Sequence, residues 1–218
     1  MAAVFITGTG TDVGKTYVAA ALVRALVSRG VAVDVLKPVA SGFDPAAPQG
    51  SDPWMLIEAL GRTPTMAEIE RVAPFRFRAP LSPPLAAQME GRALIADAVI
   101  DLCRTRMRET SGVLIIEGAG GVMSPVDDHA TFLDVIAALR VPALLVAGSY
   151  LGTISHTLSA LEVLRARGVE VLEVAVSESE DSPSLDPTCE AIEAFGGVRV
   201  SRILRRGGYD AGDLIGRL

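Results

Sequence analysis

The chain has 218 residues, half of them hydrophobic, which is enough apolar material for one sizeable core. Acidic residues outnumber basic ones by 26 to 20, and the net charge of −6 excludes the broad cationic surface on which nucleic-acid binding rests. Two cysteines, Cys103 and Cys189, in no CxxC spacing, give neither a disulfide framework nor a zinc site, and with no signal-peptide pattern and no apolar run of about 18 residues they point to a cytoplasmic protein without a membrane partner.

Short β-branched runs alternate with helical patterns along the chain. Strands are predicted at 4–7, 33–36, 113–116, 143–147 and 171–176, with a weaker run at 197–200, and helices at 16–29, 93–110, 131–138, 154–167 and 187–195. Runs that are apolar on both faces and separated by helices imply an α/β fold, a parallel sheet with helices on both faces, in one domain spanning 1–218. Ligands of such sheets bind beyond the carboxyl ends of the strands, so the residues just after each run carry the functional interest. Residues 40–84, proline-rich and irregular, are too long for an idle connection and predict a functional loop region or a small subelement. Arg202, Arg205 and Arg206 read as a solvated tail or a subunit contact.

The first strand runs into Gly8-Thr9-Gly10-Thr11-Asp12-Val13-Gly14-Lys15-Thr16 and then a helix, the order of a phosphate cradle and hence of a P-loop NTPase-like sheet. Backbone N–H groups face the anion, Lys15 neutralises β/γ oxygens, and Thr16 offers its hydroxyl to Mg²⁺. The usual spacing wants glycine at position 9, where this chain has Thr9; the upstream glycine is Gly8.

After the second strand comes Lys37-Pro38, where proline stops the strand from continuing into a central ladder. The Lys37 amine either joins Lys15 at the same sheet edge, where two ammonium groups need concentrated negative charge, or extends into water. Asp52 before Pro53 reads as the cap of a helix, or as a carboxylate for the metal. Glu117 ends an apolar strand and precedes Gly118, Ala119, Gly120 and Gly121. A carboxylate so placed is costly to bury without a cation, and Mg²⁺ is a natural partner. Asp127 and Asp128 fit a turn or helix start. A further strand leads into the helix start Leu151-Gly152-Thr153, whose free N–H groups attract a carboxylate. His129 and His156 form no triad pattern and read as hydrogen-bonding or packing residues.

Gly8 to Thr16, "KPVASG" (37–42), Ser51-Asp52, "PLSPPLAA" (80–87), "EGAGG" (117–121) and "LGTISHTL" (151–158) together resemble the dethiobiotin synthetases over about the first 165 residues. The resemblance implies an ATP-dependent cyclo-ligase of biotin biosynthesis. Such an enzyme carboxylates 7,8-diaminononanoate with CO2 (or bicarbonate) and closes the ring to dethiobiotin through a carbamate and a carbamic-phosphoric mixed anhydride. It implies Mg²⁺, ATP as co-substrate, and a homodimer. Lys37, Lys15 and Thr11 would be catalytic. Asp12, Val13, Gly14, Lys15, Thr16, Tyr17, Asp52, Glu117, Gly118, Ala119, Gly120 and Ser177 would bind the nucleotide, with Thr16, Asp52 and Glu117 holding the metal. Ser41, Thr11, Leu151, Gly152, Thr153 and Ser155 would bind substrate, the 151–156 helix start receiving its carboxylate across the dimer interface. Two positions depart from the family pattern: Ser177 and Ser155 stand where asparagine is common. A ParA/MinD-like ATPase switch is the alternative of another class, disfavoured because the loop lacks that group's signature lysine. A cobyrinate-type amidoligase is disfavoured because Cys103 sits in a helical pattern without a nucleophile turn.

Overall fold

The computed structural model describes residues 2–179, 184–204, 209 and 212–216. Strand β1 (Ala2–Gly8) passes through the glycine loop into helix α1 (Lys15–Ser28), followed by β2 (Val33–Leu36). Later strands β5 (Val113–Glu117), β6 (Ala143–Gly148), β7 (Val171–Ser177) and β8 (Val200–Ile203) complete a sheet of order β2-β5-β1-β6-β7-β8, parallel at every pairing. The helices after these later strands are α6 (Phe132–Leu139), α7 (Thr153–Ala166) and α8 (Leu185–Gly196), and α5 (Ala96–Glu109) precedes β5.

Period-two alternation on β1 shows why both faces are covered. Phe5 packs with Leu114, Leu145, Val174, Val99 of α5 and Ile136 of α6. Its neighbours Val4 and Ile6 point the other way, onto Val18 and Leu22 of α1 and Leu144 of β6. All are buried, as the two-faced apolar pattern of parallel strands requires. The chain leaves β1 toward β2 on one side but leaves β5 toward β6 on the other. A crevice therefore opens between the carboxyl ends of β1 and β5.

The segment at 40–84 is a folded subelement. Lys37-Pro38 ends β2, and the chain resumes as β3 (Val39–Ser41), which pairs in parallel with β4 (Phe75–Phe77) as a separate two-stranded sheet. Between them lie α2 (Asp52–Ala59) and α3 (Met66–Val72), and α4 (Pro83–Met89) follows. Leu56, Ile57, Ile69 and Val72 bury themselves in the α1 side of the main core. The Lys37 N–H donates to Val72 O at 2.9 Å and the Phe75 N–H to Pro38 O at 3.2 Å, so the insertion grips the chain on both sides of the Lys37 side chain.

Three expectations are corrected. The final strand is Val200–Ile203, not 197–200, because Gly197 ends α8 in the left-handed conformation (φ 53). The helix expected from residue 93 begins at Ala96, where Asp127 Oδ2 accepts the Ala96 N–H at 2.8 Å. Ser51, not Asp52, is the N-cap of α2; Asp52 is its first helical residue, which frees the carboxylate for tertiary contacts. Of the basic cluster, Arg202 lies in β8 and donates from Nε to Asp186 Oδ1 at 2.6 Å, whereas Arg205 and Arg206 lie outside the described residues. Within 207–218, the described residues include helix α9 (Gly212–Ile215), whose Leu214 is buried in the α1-side core.

Candidate active site

Thr9 keeps its N–H on Val146 O at 2.9 Å, so the strand's pairing persists one residue past Gly8 before the loop turns. Asp12 (φ 57) and Gly14 (φ 97) then take left-handed backbone conformations in close succession, which turns successive N–H groups inward as an anion nest. Gly14 serves as the N-cap of α1 with no side-chain cap, so the first turn of that helix keeps its N–H groups free for phosphate. Lys15 Nζ curls back to donate to Gly10 O at 2.6 Å. Burial, and secondarily the neighbouring Lys37 charge, lowers its pKa to about 8 against the opposing pull of Glu117, Asp52 and Asp12.

Around it the ends of four elements converge. Lys37 Nζ, buried, lies 2.6 Å from Glu117 Oε1, 2.7 Å from Asp52 Oδ2 and 3.0 Å from Gly118 O. Burial opposes the Lys37 charge, but Glu117 and Asp52 outweigh it and hold its pKa above the ordinary lysine value. Thr16 Oγ1 is 2.8 Å from Asp52 Oδ1 and 2.7 Å from Glu117 Oε1. A hydroxyl has one proton and cannot donate to both carboxylates at once. Burial, with help from the Asp52 charge, raises the Glu117 pKa against the pull of Lys37. Glu117 Oε2 is buried with no hydrogen-bond partner among the described residues. Two carboxylates and a hydroxyl crowded together, with one oxygen orphaned, form an all-oxygen donor set that suits a hard cation such as Mg²⁺.

These groups line one cavity of about 870 Å³, together with Thr11, Asp12, Gly14, Tyr17, Ser41, Ala119 and Gly120. Val13, Gly118 and Ser177 contribute no wall. Val13 is in the core, Gly118 offers its carbonyl to Lys37, and Ser177 packs under Gly14, where an added Cβ would sit 2.9 Å from Ser177 Oγ. Leu151, Gly152, Thr153 and Ser155 are elsewhere: they border a separate apolar groove along α7 that reaches Phe195 of α8. Thr153 Oγ1 there donates to Gly148 O at 2.5 Å, and the Tyr150 hydroxyl lies 2.9 Å from His156 Nδ1. Asp127 accepts the His129 and Ala130 N–H groups at 2.8 Å each, the turn expected of it. Both cysteines are buried. Sequence reading missed Phe43, Ser82 and Ser124 as walls of the cavity. For Ser124 the signal was a small polar residue closing the glycine run.

A nucleotide-phosphate loop at the carboxyl edge of a parallel sheet, beside a cluster of two carboxylates and a hydroxyl, defines the class: a P-loop nucleoside-triphosphate enzyme. Residues 2–204 match the family model described as AAA domain. Solved P-loop structures agree in fold alone. The signal recognition particle receptor FtsY of Elizabethkingia anophelis superposes with a TM-score of 0.56 at 19% identity, over 98% of this chain and 61% of that one. Hydrogenase maturation factor HypB of Archaeoglobus fulgidus does so with 0.56 at 11%, over 100% and 88%.

The particular family follows from closer relatives. ATP-dependent dethiobiotin synthetase of Caulobacter sp. strain K31 is 53% identical over 100% of this chain and 94% of its own length. That of Phenylobacterium zucineum is 45% identical over 95% and 90%. The chain belongs to the ATP-dependent dethiobiotin synthetase family, ATP-using ligases of biotin biosynthesis.

Proposed function

We propose that the chain, acting as one domain over 1–218, joins CO2 (or bicarbonate) to 7,8-diaminononanoate and closes the ureido ring of dethiobiotin at the expense of ATP. The observation that supports this most is the convergence of Lys15, Lys37, Thr16, Asp52 and Glu117 on one cavity. A carbamate is a poor electrophile. One of its oxygens must take the γ-phosphoryl group, with ADP leaving, before the second amine can attack the carbon and expel phosphate. The first transfer brings two anions together, and catalysis of such a step is mainly positioning and charge neutralisation.

In this reading the nest and Lys15 hold the β/γ oxygens, whose negative charge favours the Lys15 ammonium. Lys37 leaves its carboxylate partners to bridge carbamate and γ-phosphate. Thr16, Asp52 and Glu117 hold Mg²⁺, which when bound neutralises phosphate charge. The family residues Asp12, Val13, Gly14, Tyr17, Gly118, Ala119 and Gly120 contact the nucleotide, mostly through backbone. Thr11 and Ser41 contact the diamine.

The helix start at Leu151, Gly152, Thr153 and Ser155 borders a groove separate from the cavity, so it can meet the substrate's carboxylate only by coming from a second subunit. Leu151 (92% exposed) and Phe195 (79%) give that face the apolar surface a homodimer would cover. Ser177, without an amide, is a weaker reader of adenine than asparagine, and substituting GTP or CTP for ATP in the dethiobiotin assay measures the preference. The proposed location is cytoplasmic; no helix among the described residues is long and apolar enough to cross a membrane.

The test is direct: purified protein, diaminononanoate, bicarbonate and MgATP, with dethiobiotin read by mass. Phosphate release that ignores the diamine and answers to DNA, lipid or a protein partner would replace the ligase by a ParA/MinD-like switch; no observation favours that switch at present.

A further inference from the structure

Ser124 closes the glycine run after Glu117, and none of the roles above uses it. Its Oγ accepts the Gly121 N–H at 2.7 Å, and its own N–H donates to Gly121 O at 3.0 Å. The Phe132 N–H donates to Ser124 O at 3.0 Å, which fixes this clasp to the start of α6. The hydroxyl's acceptor side is therefore engaged, while its proton has no acceptor among the described residues. Ser124 is half-buried and lines the cavity that holds Lys15, Lys37 and Ser41.

Gly120 makes the approach possible. Its φ of +66 suits glycine, and an added Cβ would lie 2.2 Å from Ser124 Oγ and 3.9 Å from Thr11 Oγ1. Two hydroxyls thus come within 4 Å of one point on the cavity wall. The same loop carries, at Gly118, the carbonyl that Lys37 Nζ holds at 3.0 Å.

We propose that the Ser124 hydroxyl donates a hydrogen bond to the carbamate oxygen that is not phosphorylated. The assignment rests on the ligase reading. A carbamate has two equivalent oxygens, and only one attacks phosphorus. A neutral donor on the other stops rotation and presents the first. Once the first oxygen carries phosphate, the held oxygen is the carbonyl oxygen of the mixed anhydride. Attack by the second amine at its carbon forms the C–N bond and moves the C=O electron pair onto that oxygen; collapse restores the C=O, breaks the C–O bond to phosphate, and the expelled phosphate takes the proton the amine loses. A fixed donor there stabilises the developing negative charge in both directions. Ser124 itself neither gains nor loses a covalent bond.

The experiment compares Ser124→Ala with Ser124→Thr, which keeps the hydroxyl. Three quantities are read: KM for the diamine, kcat, and affinity for a non-hydrolysable ATP analogue followed by fluorescence of Trp54, the sole tryptophan, which lies on α2 two residues after Asp52. Ser124→Ala raises the diamine KM and lowers kcat, each about tenfold as expected for loss of a hydrogen bond to a charged group. Nucleotide affinity stays within about twofold, and Ser124→Thr recovers most of the loss. Unchanged diamine KM and kcat would overturn the assignment. So would a parallel fall in nucleotide affinity, which reduces Ser124 to a clasp for the loop, or failure of the threonine to rescue. If the unaltered protein makes no dethiobiotin, the ligase reading falls first and this assignment with it.

Discussion

Two clusters of paired charges stand out in this molecule, and they are built on opposite plans. On the edge strand β2, Asp34 accepts from Arg71 Nη1 at 2.8 Å and Nη2 at 3.1 Å and from Arg106 Nη2 at 2.5 Å. Arg71 also reaches Glu68, and Arg106 Nη1 donates to Arg71 O at 3.1 Å. Burial alone would raise the Asp34 pKa, but the Arg71 and Arg106 guanidiniums outweigh it and hold the carboxyl below its ordinary value. Both Asp34 oxygens are bonded and its charge is answered within the chain. The rim cluster, three residues along the same strand's exit, is open. Among the described residues Glu117 Oε2 has no partner, Thr16 faces two carboxylates with one proton, and burial beside Lys37 lowers the Lys15 pKa. A closed network is structural, and an open one waits for a ligand to complete it.

The sharpest way to break the contrast is Lys37→Ala. It is expected to cut dethiobiotin formation by about 10³-fold or more, the scale of losing a positioned charge at a phosphoryl transfer. The circular-dichroism spectrum in Mg²⁺ should stay native; turnover within tenfold of the unaltered protein would remove Lys37 from the chemistry. Glu117→Gln is next. Turnover should fall by about 10²-fold and the Mg²⁺ needed for half-saturation should rise, because a carboxylate proposed to hold the ion is lost. An unchanged Mg²⁺ requirement would place the ion elsewhere.

Asp34→Asn tests the closed cluster. Leaving Arg71 and Arg106 without their carboxylate is expected to cost about 2 kcal/mol in urea unfolding, while turnover changes by less than about threefold. The Asp34 contribution is present above the ordinary carboxyl pKa and is lost as pH falls through the lowered folded value. The variant should therefore lack that part of the acid-induced loss. A large drop in turnover at full stability would show the two clusters to be one.

The smallest expected effect is the pH dependence of Lys15. With its pKa lowered to about 8 from an ordinary 10.5, the folded chain sheds a proton that the unfolded chain retains, so the free protein gains stability as pH rises across that window. Phosphate binding favours the ammonium. Nucleotide affinity should then be level below pH 8 and decline above it, by no more than about tenfold per pH unit, with proton uptake visible in calorimetry in two buffers. Constant affinity from pH 7 to 9.5 would sink this.

Much of the sheet and of the rim was readable because it is written locally. The two-sided apolar runs gave five of the main strands, and the glycine loop before Lys15-Thr16 needs only its flanking strand and helix to be recognised. Lys37 and Glu117 stood immediately after such runs, where strand direction alone sends them to one edge. The expected strand at 197–200 failed because Gly197 stops a helix, a matter of backbone conformation that hydrophobic pattern does not register.

The insertion was unreadable for a different reason. Its strands have three residues and its helices seven or eight, too few for a period to show. Its shape is imposed by burial of Leu56, Ile57, Ile69 and Val72 against a core made elsewhere in the chain. The sequence by itself determined the parallel sheet, the phosphate loop and the placing of Lys37 and Glu117 at strand ends, since each depends on neighbours in the chain. Only the tertiary structure decided that Ser51 would take the N-cap position of α2 and leave Asp52 to Lys37, that Ser124 would reach the cavity past Gly120, and that Leu151 to Ser155 would border a groove of their own. Those outcomes depend on distances between segments far apart in the chain, which only packing of the folded core sets.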